Sequence, residues 1–261
     1  QGIIEEFESF EGEIELHFEY LDTKRIPGEE YYRQLIQFEK YKNELSNIDF
    51  EVILACDNNA LRFIVENGDM LYPGVPVVFC GINNFQPGIL GGKENITGVV
   101  ETIDDRSTFR LMASLHPERE NILVILDKTP TGQAIKREFD IVAQTFSDRF
   151  NIEYYQDFIL SEVPGRISRL GGNDLIYLLT FNRDREGTFI SYADGIKMIQ
   201  KASKVPIYGS WDFYFGQGII GGMLTSGHSQ GKQAAIIAKE ILNGAKVKEI
   251  PFVTRSINQY M

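Results

Sequence analysis

The residues best suited to hold a small ligand are the aromatic and acidic side chains that follow residue 208. Trp211, Asp212 and Tyr214 stand in the stretch VPIYGSWDFYFGQGIIGGMLTSG, and Trp211 is the only tryptophan of the chain. A carboxylate pairs with an amine, and aromatic rings bind apolar groups and cations through their faces. This loop therefore predicts a site for a small ligand that combines an apolar body with a cationic group.

Two interpretations of this aromatic run make opposite predictions. If the loop lines a ligand site, replacing Trp211 or Asp212 weakens binding and leaves the melting temperature nearly unchanged, because such a loop is not core. If the rings only pack against the core, the same changes lower stability and leave binding unaltered. We expect the first outcome from the sequence.

The stretch has a counterpart about half a chain earlier, in residues 73–85, PGVPVVFCGINNF. There too a Val-Pro pair opens a strand that ends at a glycine, Gly81, and the polar residues Asn83 and Asn84 follow. Loops that follow parallel strands collect at the carboxyl edge of their sheet, where α/β proteins bind ligands. The repeat predicts two similar α/β lobes with a ligand cleft between them.

Composition narrows the class of protein. A chain of 261 residues, 43% hydrophobic and 24% charged, is typical of a globular protein with room for two lobes. The formal net charge of −11 argues against a nucleic-acid partner, because no basic face is easily assembled. No apolar run reaches the roughly 20 residues that a membrane helix needs.

Apolar runs of strand length alternate with helical periodicity along the whole chain, which indicates an α/β fold with parallel sheets. Because such a lobe opens with a strand and this chain opens with helical residues, we expect its first strand to lie upstream. The lobes are predicted at 1–103 with a return of 225–248, and at 104–224 with a return of 249–261. Predicted strands are 14–20, 50–56, 75–80, 95–100, 121–126, 152–158, 174–181, 205–208, 217–225 and 251–254; predicted helices are 1–10, 30–45, 60–67, 105–115, 132–150, 163–170, 192–202 and 229–242.

A GxGxxG pattern raises the alternative of an α/β enzyme with a nucleotide cofactor. Gly216, Gly218 and Gly221 form it, but the fingerprint must follow a strand and open a helix. Here a loop precedes the glycines and a strand pattern follows them. Glycines that let two backbones pass closely are the favoured explanation, and we expect no cofactor and no enzymatic activity.

Other polar stretches leave alternatives open. DKTPTG, residues 127–132, ends a strand before a helix but lacks the GK[ST] of a phosphate loop, so a helix cap at Thr129 or Thr131 is favoured. The run TFNRD, residues 180–184, is either a solvated loop or an aromatic wall with an amide donor. The three histidines show no paired spacing, so no metal site is expected.

The two cysteines, Cys56 and Cys80, both stand near the carboxyl ends of apolar strands. If those strands are neighbours, a disulfide between them is sterically conceivable. The favoured interpretation is that both are buried free thiols that act as small hydrophobic residues.

The order of several motifs resembles one known family. VPVVFCGINNF, NITGVVE, DKTPTG, LLTFNRD and VPIYGSWDFYFGQGIIGGMLTSG follow one another as in the ABC-transporter substrate-binding-protein-like family. The closest branch is the one used as the extracytoplasmic sensor domain of bacterial histidine kinases and diguanylate cyclases. The resemblance implies a type 1 periplasmic-binding fold with two Rossmann-like lobes, three crossovers and a ligand bound in the cleft by hinge closure.

The same resemblance implies a function, partners and a set of residues that contact the ligand. The expected function is a membrane-tethered extracytoplasmic sensor, with a signalling domain on the same polypeptide; the alternative is a solute-binding protein that serves an ABC permease. The ligand would be amino-acid-like or aromatic, since related transport proteins carry aromatic amino acids, and a homodimer is left open. The ligand-contacting residues implied are Asp57, Asn58, Asn59, Gly81, Asn83, Asn84, Thr131, Gly132, Phe181, Asn182, Trp211, Asp212 and Tyr214.

Overall fold

The computed structural model describes residues 1–22, 26, 28–46, 48–255 and 257–261. These residues contain eight helices and nine strands in alternating order. The helices are α1 (Gly2–Phe7), α2 (Glu29–Ser46), α3 (Asn58–Leu71), α4 (Asp105–Leu115), α5 (Pro130–Gln144), α6 (Val163–Ile167), α7 (Tyr192–Ala202) and α8 (Gly227–Leu242). The strands are β1 (Ile53–Cys56), β2 (Val77–Ile82), β3 (Ile96–Val100), β4 (Asn121–Ile125), β5 (Asn151–Tyr155), β6 (Asp174–Leu178), β7 (Ile207–Gly209), β8 (Met223–Leu224) and β9 (Gln259–Tyr260).

The chain divides into two compact units, each made of segments that are distant in sequence. Unit 1 comprises residues 1–101 and 227–255, and unit 2 comprises residues 102–226 and 256–261. Residues 249–255 belong to unit 1, because Val253 forms a parallel bridge with Val99 next to β3. Because the chain passes from unit 1 to unit 2 and back, each unit consists of two separate sequence segments.

Unit 1 is built on a parallel sheet in the order β1-β2-β3. Helix α8 packs on all three strands, and α3 packs on β1 and β2. Since helices cover it, β2 is a continuous apolar run, VVFCGI, in which every residue but Gly81 is buried. The main side chains of its core are Ala55, Leu61, Phe63, Ile64, Leu71, Val77, Phe79, Ile82, Leu90 and Ile96.

Unit 2 contains a four-stranded parallel sheet in the order β5-β4-β6-β7 and a small antiparallel pair, β8-β9. The central strands, β4 and β6, are buried along almost their full length, as their apolar sequences NILVI and DLIYL require. Large aromatic side chains fill much of the core; those exposed by 1% or less are Phe109, Phe139, Phe158, Tyr177, Phe181, Tyr208 and Tyr214.

Three predicted strands are wrong or much shorter than expected; of the strand predicted at 251–254, only the bridge made by Val253 is present. Residues 13–22 carry neither helix nor strand, although residues 14–20 alternate between apolar and polar. A strand requires a hydrogen-bonded neighbour. This segment does not pair with β1, and both line a cavity of about 1150 Å³. Of the strand predicted at 217–225 only β8 is regular; the remainder makes isolated bridges, such as Tyr208 with Gly221.

None of the helices in the described ranges combines the length and apolar character needed to span a membrane.

Candidate ligand-binding site

In unit 1 the loops that follow β1 and β2 are tied to each other. The Nδ2 group of Asn58 donates to the carbonyl of Asn83 (3.1 Å), and the backbone N–H of Asn83 donates to Oδ1 of Asn58 (3.1 Å). Both loops turn sharply, since Asp57 and Asn84 have positive φ angles of 84° and 54°. The carboxamide therefore acts as a clip that holds two predicted ligand loops at one edge of the sheet, and Asn59 is exposed beside it.

Helix α8 adds a residue that the sequence did not single out. The backbone N–H of Gly81 donates to Oε1 of Gln230 (3.4 Å), and the Gln230 side chain is only 2% exposed. Gly81 has φ 69°, a conformation that glycine adopts without strain. Gln230 lies 149 residues further along the chain, so nothing local in the sequence indicates this contact.

In unit 2 a buried carboxylate connects the loops that follow β4 and β6. Oδ1 of Asp127 accepts hydrogen bonds from the backbone N–H (3.1 Å) and hydroxyl (2.5 Å) of Thr129 and from the hydroxyl of Thr180 (3.3 Å). Oδ2 of Asp127 accepts from the backbone N–H of Asn182 (2.9 Å). This fully buried residue therefore fixes the position of the predicted ligand residue Asn182.

The start of α5 is packed directly against that carboxylate. Thr129 caps the helix by accepting from the N–H of Gly132 (3.1 Å), which confirms the predicted role of this threonine. A Cβ at Gly132 would lie 2.3 Å from the carbonyl oxygen of Asp127 and 2.9 Å from the hydroxyl oxygen of Thr180. Gly132 is thus required for close packing, while Thr131 beside it is half-buried.

A chain of polar and aromatic contacts joins the end of β6 to the loop after β7. Nδ2 of Asn182 donates to the hydroxyl of Tyr192 (3.1 Å), and the Tyr192 ring lies 4.4 Å from that of Phe213, centroid to centroid. Phe213 in turn stacks on Trp211 at 6.0 Å with an interplanar angle of 15°. The predicted site did not include Tyr192 or Phe213. Tyr192 contacts the predicted residue Asn182, and Phe213 contacts the predicted residue Trp211.

Burial divides the aromatic residues of this loop into two groups. Trp211 and Tyr214 are 8% and 1% exposed and belong to the hydrophobic core of unit 2, whereas Phe213 is 42% exposed. The Tyr214 hydroxyl donates to the carbonyl of Leu179 (3.3 Å). The expectation that replacing Trp211 leaves thermal stability unchanged is therefore wrong, because removing a buried indole opens a cavity in the core.

Asp212 differs from the rings around it. It is half-buried, its backbone N–H donates to the carbonyl of Thr225 (3.0 Å), and it begins the 3₁₀ turn Asp212–Tyr214. Within the described part of the chain, no hydrogen bond or ion pair engages its carboxylate. The carboxylate is thus held in place by its backbone and available to a ligand.

Phe181 and the charged residues after it are ordered parts of unit 2. Phe181 is 1% exposed and packs on Phe158 with ring centroids 4.7 Å apart, so its ring belongs to the core. Asp184 is also buried, and its carboxylate accepts from the backbone N–H groups of Leu160, Glu186 and Thr188. The alternative of a solvated loop at 180–184 is wrong, because Asp184 organises the backbone around it.

The glycine pattern at 216–221 does not form a dinucleotide site. It follows the turn at Asp212–Tyr214 instead of a strand, and residues 216–222 contain no helix. A Cβ at Gly221 would lie 2.1 Å from the carbonyl oxygen of Met261, so this glycine allows two backbones to approach closely, as predicted. Among the described residues, no group of three or more His, Cys, Asp or Glu side chains is placed to hold a metal ion.

These features define the class of protein. Parallel sheets with ligand-type residues in the loops beyond their carboxyl edges, divided over two discontinuous units, constitute an α/β fold of the type 1 periplasmic-binding-protein kind. The sequence profile described as ABC transporter substrate binding protein matches residues 71–261, and this chain belongs to that family. Substrate-binding proteins of this family are extracytoplasmic. A search of curated protein sequences found no match to the chain.

Solved structures support the fold. A ligand-free, open substrate-binding protein with adhesive properties from Clostridium difficile matches with a TM-score of 0.66 and 17% identity, over 99% of this chain and 84% of that one. An ABC domain from Streptococcus pneumonia in complex with L-Trp matches with a TM-score of 0.61 and 16% identity, over 88% and 75%. A solute-binding protein from Bacillus halodurans with bound myo-inositol matches with a TM-score of 0.54 and 14% identity, over 88% and 79%.

Proposed function

We propose that this chain binds a small molecule that carries an amine and an aromatic or apolar body, such as an amino acid. The observation that carries the proposal is the Asp212 carboxylate, which has no partner among the described residues and shares a turn with the exposed Phe213. Phe213 rests on the buried Trp211, so its ring is a supported apolar surface. An ammonium group would pair with Asp212 while the rest of the ligand stacks on the ring.

Each unit also holds polar groups of the kind that such a ligand needs. In unit 1 the clip between Asn58 and Asn83 holds amide and backbone groups at the carboxyl edge of the sheet. In unit 2 the side-chain amide of Asn182 donates to the hydroxyl of Tyr192, and its backbone N–H donates to Asp127. Donors that are fixed before binding cost less ordering entropy when the ligand arrives. The Streptococcus domain in complex with L-Trp supports an aromatic amino acid as the ligand. Because the protein from Bacillus halodurans binds myo-inositol, this polyol is the alternative ligand to test.

Isothermal calorimetry with L-tryptophan and with myo-inositol tests the proposal. L-Tryptophan is expected to bind, and Asp212→Asn is expected to weaken it by roughly ten- to a hundredfold, since a hydrogen bond to a charged group contributes about 1.5–3 kcal/mol. Asp148→Asn is the matched control, because Asp148 is an exposed aspartate of the same unit. Binding of myo-inositol alone, unaffected by Asp212→Asn, would contradict an amine ligand.

A second pair of variants tests the stacking surface. Phe213→Ala is expected to weaken L-tryptophan by removing an aromatic contact. Phe189→Ala is the control, because both rings are 42% exposed and both belong to unit 2. Equal loss in the two variants would show that Phe213 has no specific part in binding.

We infer two candidate biological roles for a protein that binds such a ligand. The order of motifs favours an extracytoplasmic sensor domain that is tethered to a membrane and linked to a kinase or cyclase. The family match favours a protein that passes its ligand to an ABC permease. The polypeptide and gene context decides between them: a signalling domain on the same polypeptide supports the sensor, and an adjacent permease without one supports transport.

A further inference from the structure

The two cysteines of the chain face each other across neighbouring strands of unit 1. Cys56 and Cys80 are partner residues in the parallel register of β1 and β2, and their Sγ atoms lie 3.5 Å apart. Neighbouring strands are about 4.7–4.9 Å apart, within the roughly 4.4–6.8 Å that separates the Cα atoms of disulfide-bonded cysteines. Partner residues also point to the same face of a sheet, so the two thiols need only side-chain rotation to meet.

The environments of the two thiols differ. Cys56 is exposed and lines the cavity beside β1, whereas Cys80 is 4% exposed; the favoured reading of two buried thiols is therefore wrong for Cys56. The Cys80 thiol donates to the Cys56 sulfur, and this hydrogen bond lowers the pKa of Cys56 and raises that of Cys80. An accessible thiol whose pKa is lowered, beside a buried second thiol, is the arrangement of an attacking and a resolving cysteine.

The pair stands directly before the loops described above. The N–H of Asp57 donates to the carbonyl of Cys80 (3.0 Å), and Asn58 clips the following turn to Asn83. The backbone departs from regular strand geometry directly after each cysteine: Asp57, after β1, has a φ angle of 84°, and Gly81, within β2 at a shift of register, has a φ angle of 69°. A covalent link at this point would join the carboxyl ends of β1 and β2 below the candidate ligand loops.

We propose that Cys56 and Cys80 form a reversible dithiol–disulfide pair that exchanges with small disulfides such as oxidised glutathione. The Cys56 thiolate attacks one sulfur of oxidised glutathione, which forms a mixed disulfide and releases one glutathione thiolate. The Cys80 thiol then loses its proton and attacks the Cys56 sulfur, forming the protein disulfide and releasing the second glutathione. The two electrons of the protein dithiol reduce oxidised glutathione to two glutathione molecules. Disulfides persist in the extracytoplasmic compartments where proteins of this family work.

The test is to incubate the folded, reduced protein with oxidised glutathione, quench with acid and analyse the intact mass and a peptide map. The expected product has lost two hydrogen atoms and both titratable thiols, carries no glutathione, and yields a Cys56–Cys80 cross-linked peptide that dithiothreitol opens. A stable glutathione adduct on Cys56, or two thiols that react only after denaturation, would overturn the proposal.

Two variants assign the order of the steps. Cys80→Ala is expected to stop at the mixed disulfide and keep one glutathione on Cys56. Cys56→Ser is expected to acquire no glutathione while folded, since the remaining thiol is buried. If both variants take up glutathione equally, the assignment of Cys56 as the attacking thiol is overturned. The cross-linked peptide of the unchanged protein decides the proposal even if Cys80→Ala does not fold.

Discussion

The carboxylate of Asp127 offers the sharpest test of how unit 2 holds its loops. In Asp127→Asn one carboxylate oxygen is replaced by an NH₂ donor, yet all four groups that contact the side chain are donors. Whichever way the amide is turned, the partly buried backbone N–H of Thr129 or of Asn182 faces another donor. The variant therefore creates an unsatisfied pair at a residue that is fully buried.

The magnitude follows from the same contacts. An unsatisfied buried N–H costs about 1–3 kcal/mol, and the bonds that remain fall from about 1.5–3 to about 0.5–1.5 kcal/mol each because the acceptor is no longer charged. Together these losses lower the free energy of unfolding of unit 2 by about 3–5 kcal/mol. With a urea dependence of about 1–3 kcal/mol per molar, the midpoint falls by roughly 1–5 M.

Tryptophan fluorescence is a probe of this unit alone. Trp211 is the single tryptophan of the chain, belongs to unit 2 and is 8% exposed, so its emission changes when unit 2 unfolds. Asp148→Asn, at an exposed position, is expected to shift the unfolding free energy by no more than about 0.5 kcal/mol. A loss below about 1 kcal/mol in Asp127→Asn would refute the assignment of this carboxylate as the organising group.

Two further predictions concern pH and packing. Burial raises the pKa of the fully buried Asp105 carboxyl from 3.8 to about 7, so the folded state keeps a proton that the unfolded chain has lost, and stability falls as pH rises between those values. Asp105→Asn keeps an acceptor for the hydroxyl of Tyr177 and is expected to remove this dependence of stability on pH, which is at most about 1.4 kcal/mol per pH unit. Urea titrations at pH 5 and pH 8 measure it, and an unchanged dependence in the variant would show that another group is responsible. Gly98→Ala is expected to lower the melting temperature of unit 1, because its Cβ would lie 2.3 Å from the carbonyl oxygen of Phe79 and overpacking costs about 1–3 kcal/mol. Circular dichroism melts of Gly98→Ala and of Gly88→Ala, whose Cβ meets nothing within 4 Å, check it; equal melting temperatures would contradict the packing argument.

Local sequence determined the helices and most of the buried strands. Helices α4 and α7 span the predicted residues 105–115 and 192–202, because a side-chain cap marks the start of each: Asp104 accepts from the N–H of Ser107, and Ser191 from that of Asp194. Continuous apolar runs likewise located β2, β4 and β6 to within a few residues. Caps, periodicity and apolar runs are properties of neighbouring residues, so they can be read without knowing the fold.

Strand pairing and burial were decided by the tertiary structure. Residues 14–20 have the alternation of a strand, but regular pairing needs a second backbone at the right distance. The sequence indicated an aromatic loop after β7, yet only packing shows that Trp211 is core while Phe213 is exposed. Ring burial depends on which distant elements cover the loop, and no local pattern contains that information.

The candidate site shows the same division. Residue types and their positions after strands predicted that Asn58, Asn83, Asn182 and Asp212 would collect at the carboxyl edges of parallel sheets, because every parallel strand ends at the same edge. The contacts that position them join residues far apart in the chain: Asp127 with Asn182, Gly81 with Gln230, and Cys56 with Cys80. Such pairs are set by strand register and helix packing, which only the folded chain specifies.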